Sequence, residues 1–206
     1  MKLIKRLFDF LNIHPDENQR WTLSALFISG LLYAYAGPAI SKAWVTELPA
    51  EWIAFQSLAY SVSGLLIGMI WKGWIRRKAI QWFTLLCIIE SAAGFCVGMW
   101  LCFVEYNAWV LAIACLLYGT LVSEFIGKCL MTFRSKLWNE HGREVYDNNN
   151  SVVCGIYCIA GYACAMLFMP SLKVAMFIWG ICCAIDNIGW IVVYNKNRNT
   201  LRLREE

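Results

Sequence analysis

Three carboxylates surrounded by apolar sequence are the residues best placed to do chemistry: Glu90, Glu124 and Asp186. An acid at the depth of a bilayer costs several kcal/mol unless it is neutralised, paired or facing water, so each is by default a candidate for binding a solute or coupling to an ion. Glu90 is followed by Ser91 and Asp186 by Asn187, polar neighbours that could help to hydrate a cavity. The candidate site is therefore Glu90, Asp186, Asn187 and Glu124. Each acid also has a structural use. Protonated Glu90 or Asp186 can hydrogen-bond another helix, and Glu124 can pair with Lys128 one helical turn later.

Catalytic readings find less support. His141 stands beside Glu140 and Glu144 but lies in no HExxH pattern, and the second histidine, His14, is on a distant segment. A solvated charged loop accounts for that cluster. Cys129 is arithmetically available as a nucleophile, yet no spacing selects it. The ten cysteines include no CxxC pair, and most fall inside apolar segments, where cysteine acts as a small hydrophobe. Cys154, Cys158 and Cys164 share one such segment. The expectation is packing, with no enzyme activity, no cofactor and no metal site. Nothing points to a nucleic-acid partner.

The elements that must position these acids follow from composition. Hydrophobic residues make up 60% of the 206 positions and charged residues 16%, and the missing charge is absent from whole stretches. That is the pattern a lipid solvent demands. Eleven Trp and nine Tyr fit it, since amphipathic rings settle where hydrocarbon meets head groups. Runs of about 20 apolar residues predict spans at Trp21–Ser41, Trp52–Trp71, Ala79–Val104, Ala108–Phe133, Ser151–Met169 and Val174–Tyr194. Backbone groups must be satisfied within each, so the expected fold class is all-α, a polytopic protein of six transmembrane helices. Pro38 is expected to bend or end the first span and Pro170 to close the fifth.

All of the eighteen Lys and Arg except Lys42 and Lys173 fall on the two termini and on the second-to-third and fourth-to-fifth connections. The positive-inside rule then puts both termini in the cytoplasm of a multi-pass cell-membrane protein. One orientation so strongly set implies that any homodimer is parallel. The connections near Glu105 and Ser171 are short, which predicts that spans three and four, and five and six, are hairpin neighbours. Arg134–Asn150 reads as a cytoplasmic loop with a helical extension of span four. The expected divisions are a cytoplasmic amphipathic segment over 1–20, a six-helix membrane domain over 21–195 and a basic cytoplasmic tail over 196–206. The first segment has apolar residues at helical spacing and a break at Pro15-Asp16-Glu17-Asn18, which suits an interfacial helix rather than a cleavable signal. Gly64 with Gly68 and Gly94 with Gly98 form GxxxG pairs, which favour close helix crossings.

The second-to-third connection, Gly68 to Lys78, resembles the major facilitator signature between the second and third helices of that family. Gly68, Arg76 and Arg77 match it, while Lys72 replaces the acid, Gly73 the first basic residue and Ile75 the second glycine. Leu117-Tyr118-Gly119 is similar to the end of the family's fourth-helix motif, with Cys115 where an arginine is usual, which weighs against proton-coupled antiport of the common kind. The six-helix organisation resembles one half of such a transporter across nearly the whole chain, and other six-helix families, including small vitamin-uptake subunits, share that outline. In the major facilitator plan two bundles join about an axis along the membrane normal with the substrate between them. The resemblance thus implies a transport-like protein that binds or translocates a small solute between helices, as a homodimer or with a partner chain in the lipid bilayer. The alternative is a non-transporting membrane module, such as an immunity, assembly or sensor subunit, that docks another membrane protein.

Overall fold

The computed structural model describes residue 6 and residues 8–11, 13–103 and 108–203, so the expected turn near Glu105 and the end of the basic tail lie outside the described residues. Among the described residues the chain is all-helical, and five helices are long and apolar enough to cross a membrane when Leu172–Arg198 is counted as one. In order the elements are α1 (Glu17–Glu47), α2 (Ala50–Ile70), α3 (Gly73–Gln81), α4 (Phe83–Phe103), α5 (Ala108–Leu117), a π-helical turn (Tyr118–Ser123), α6 (Glu124–Leu137), α7 (Glu140–Leu167), α8 (Leu172–Asp186) and α9 (Ile188–Leu203). The fourth expected span is thus helical throughout, but its winding changes at Tyr118. The sixth is interrupted at Asn187, whose backbone N–H donates to the Ile185 carbonyl, and resumes at Ile188.

Local chemistry explains most boundaries. Helix α1 runs through Pro38 without ending there. Its 31 residues span about 46 Å at 1.5 Å each, more than the hydrocarbon thickness. The Asn139 side chain accepts a hydrogen bond from Gly142 N at 2.8 Å and starts α7. Most of the polar stretch expected as a loop is therefore the first turns of α7, and it extends the fifth span as well as the fourth. Ser171 caps α8 by accepting from Val174 N. Gly73 has φ of +47°, a left-handed conformation that a side chain makes costly. A basic residue at that position, as the facilitator signature would have it, would be strained.

Packing departs from the order of the connections. Helix α8 lies between α1 and α4, and α1 lies between α7 and α8. The short turn at residues 168–171 consequently joins two helices that are not packing partners, and α1 takes the place between them. Small residues make this possible. A Cβ at Gly161 of α7 would meet the Leu31 carbonyl at 2.9 Å, and one at Gly189 of α9 would meet the Trp21 carbonyl at 2.7 Å. Of the GxxxG pairs, Gly94 and Gly98 set the α4–α8 crossing, whereas Gly68 has nothing within 4 Å.

Apolar clusters close the bundle at both ends. One joins Phe83 and Cys87 of α4 to Cys129 and Phe133 of α6 and to Val193 and Tyr194 of α9, with Tyr194 Oη donating to the Ile80 carbonyl at 2.8 Å. The other joins Ala36, Ala39 and Ile40 of α1 to Leu101 of α4 and to Ala175 and Met176 of α8. The leading segment also docks, with Phe8 and Ile13 buried against Leu23, Trp138, Tyr146 and Val153. Of the apolar positions expected to lie along a membrane surface, Phe8 is buried and Leu11 half-buried, while Leu3, Ile4 and Leu7 lie outside the described residues. Ion pairs Arg134–Asp147 and Lys196–Glu17 tie the polar ends together. Outward faces carry Leu58, Leu65, Leu66, Ile88, Ile159 and Met166, all exposed, as a lipid solvent requires.

Candidate functional site

Between the two end clusters, α1, α4 and the α8–α9 junction present polar groups to one another. Ser29 lies near the middle of α1, seven positions before Ala36, and its Oγ donates to Asp186 Oδ1 at 2.9 Å. Asn187 Nδ2 donates to Glu90 Oε2 at 2.7 Å and to Ser91 Oγ at 3.3 Å. The break in winding at Asn187 aims adjacent side chains in two directions, Asp186 toward α1 and Asn187 toward α4. An uninterrupted helix would rotate them by about 100° but keep both carbonyl ladders intact. Asp186 directly, and Glu90 through Asn187, thereby border one hollow.

That hollow has a volume of about 260 Å3 and is lined by Ser29, Glu90, Asp186 and Asn187, with rings from Tyr33, Tyr118, Tyr157 and Trp179. Glu90 is 7% exposed and Asn187 3%, whereas Asp186 is exposed and lines the space. Two glycines admit the rings. A Cβ at Gly30 would lie 2.5 Å from the Tyr157 ring, so that ring rests directly against α1, and a Cβ at Gly94 would come within 3.0 Å of Tyr118 Oη. Tyr118 opens the π-helical turn, and its ring meets Trp179 edge-on at 5.3 Å between centroids. Turns of this kind leave carbonyls outside the regular ladder and recur at functional sites. The π-helical turn and the break at Asn187 therefore border the same cavity.

Of the sequence-derived candidates, Glu90, Asp186 and Asn187 come together. Glu124 does not join them. It begins α6, where its Oε2 would be 3.7 Å from a Cβ at Gly64 of α2, and among the described residues it forms no ion pair with Lys128. The sequence reading missed Ser29, Tyr118, Tyr157 and Trp179. Hydroxyls and aromatic rings are common in apolar spans for packing and interface reasons, so none carries the signal that a carboxylate does. The nine described cysteines are free thiols, and Cys87 and Cys129 are wholly buried in the end cluster. Cys182 and Cys183 line the cavity. No group of three or more His, Cys, Asp or Glu among the described residues is arranged to hold a metal ion. No family model, curated protein or solved structure matches this chain.

Proposed function

We propose that this chain is a transport-like membrane protein that binds a small solute in the cavity between α1, α4 and the α8–α9 junction. Its part is to bind or translocate the solute rather than to transform it. The observation that carries the reading is the pair of carboxylates, Glu90 and Asp186, held by Asn187 and Ser29 against one hollow in the middle of apolar helices. Polar side chains at such depth are costly to maintain, and a solute or ion pathway is the usual reason they are kept. The volume lies just below the range of pockets for drug-sized ligands. In the same reading the segment 108–137 is the sixth crossing, and both termini and the basic connections face the cytoplasm of a cell membrane.

A thermal-shift screen of small solutes against the purified protein tests the site. Hits should raise the melting temperature of the native chain and lose that effect in Asp186→Asn and Glu90→Gln. Hits that stabilise both variants as well as the native chain would remove these carboxylates from the site. The orientation has its own test. Arg143→Cys should gain labelling by a membrane-impermeant maleimide, above the native background, in inside-out vesicles and not in right-side-out ones. Labelling in the reverse pattern would overturn the assignment.

A second reading rests on α2, which packs sparsely and leaves Leu58, Leu65, Leu66 and Met69 exposed beside the open Gly68. On it, the face docks another membrane protein and the chain acts as a non-transporting module, whereas a parallel homodimer across the same face belongs to the transport-like reading. Stoichiometric co-purification of one partner without solute flux would favour this reading over the first.

A further inference from the structure

Resting on the reading of the cavity as a solute site, we infer that its ligand is a small organic cation, a primary ammonium group on an apolar or aromatic body, with Asp186 as the counter-charge.

The residues lining the hollow include Glu90 and Asp186, and none of the described ones is Lys, Arg or His. An anionic solute would meet two carboxylates and no compensating charge, and at low dielectric that repulsion is severe. A neutral solute can donate a hydrogen bond to Asp186 but brings no charge to offset the acids. A cation is the one charge class for which this lining is complementary.

Geometry assigns the two acids different parts. Glu90 is nearly sealed off and held by the Asn187 amide, so it contributes field rather than contact. Asp186 is exposed, with Oδ1 held by Ser29, and among the described residues no donor meets its Oδ2. An ammonium group has three N–H donors and no acceptor. Asp186 Oδ2 and the hydroxyl oxygen of Ser29 offer it acceptors side by side.

The walls supply the rest. Tyr118 and Trp179 stand edge to face on one side, and the Tyr157 ring lies against Gly30 on another. Aromatic faces attract a cation within about 6 Å of the ring centre and also pack against an apolar body. Bare inorganic cations make poor use of such walls, and among the described residues no three His, Cys, Asp or Glu are grouped to hold one.

Isothermal titration of the purified protein with three matched probes, benzylammonium, benzyl alcohol and benzoate, tests the inference. Benzylammonium is expected to bind at least tenfold more tightly than either of the others. Asp186→Asn should lose at least tenfold for benzylammonium, leave benzyl alcohol unchanged and retain the native melting temperature. Trp179→Leu should weaken benzylammonium severalfold as a second, charge-neutral check. Equal or tighter binding of benzyl alcohol or benzoate would overturn the cation assignment while leaving the cavity a solute site. Absence of binding by all three would also overturn it, and the solute screen then decides separately whether the cavity binds anything.

Discussion

Replacing Gly98 by alanine should lower the melting temperature of the detergent-purified protein sharply, and leucine at the same position should prevent recovery of a monodisperse species. The added Cβ would sit 2.6 Å from Gly180 Cα, 2.8 Å from Gly180 N and 2.9 Å from the Met176 carbonyl. These are backbone atoms, so no side chain can swing aside and the whole α4–α8 crossing must open. Overpacking costs about 1–3 kcal/mol where side chains can adjust, and a backbone clash belongs at or above the top of that range. Gly68→Ala is the matched control. With nothing within 4 Å of its Cβ, it should be neutral or gain up to about 1 kcal/mol from helix propensity. Equal losses from both substitutions would show that the crossing does not depend on contact at Gly98.

Asn187→Leu should be the most damaging change within the polar cluster that leaves both carboxylates in place. Glu90 is 7% exposed and receives the Asn187 amide at 2.7 Å. Interhelical hydrogen bonds in membranes contribute only about 0.6 kcal/mol on average. Leaving a buried acceptor without its donor costs about 1–3 kcal/mol, more for a charged group, so the orphan rather than the lost bond sets the effect. The distinction can be measured. Glu90→Leu with Asn187→Leu removes both partners, and the double variant should lose clearly less than the sum of the single losses. Strict additivity would mean that the two side chains stabilise the bundle independently.

The acids were legible in the sequence because charge in an apolar run is conspicuous, and Asn187 because it adjoins one of them. That legibility is a statement about cost, not about place. Glu124 gives the same signal as Glu90 and stands elsewhere, against α2. The aromatic lining was hidden because Tyr118, Tyr157 and Trp179 look like any rings in a bilayer-spanning run until Gly30 and Gly94 are seen to make room for them. Helix content followed from hydropathy, as did the approximate bounds of the five apolar helices among the described residues. The order of packing did not, since a short connector limits how far apart two helix ends lie and not what slides between their lengths. Helix α1 takes that place because Ala34 and Gly161, and Ala25 and Gly189, meet with almost no side chain between the backbones, which is a pairing of positions far apart in the chain. Winding defects were equally invisible: Tyr118–Ser123 and Asn187 contain no proline to announce them.

The two closures of the bundle are unlike in what separating them would uncover. At one end the contact is made of rings, Phe83 against Phe133 and Tyr194 with centroids 4.8 and 5.1 Å apart, latched by the phenol of Tyr194 on a main-chain oxygen. At the other, Ala36, Ala39 and Ala175 contribute only methyl groups beside Ile40, Leu101 and Met176, and no buried ring. Prising apart aromatic rings forfeits far more van der Waals contact than parting methyl groups. The ring end is therefore expected to be the last of the two to part.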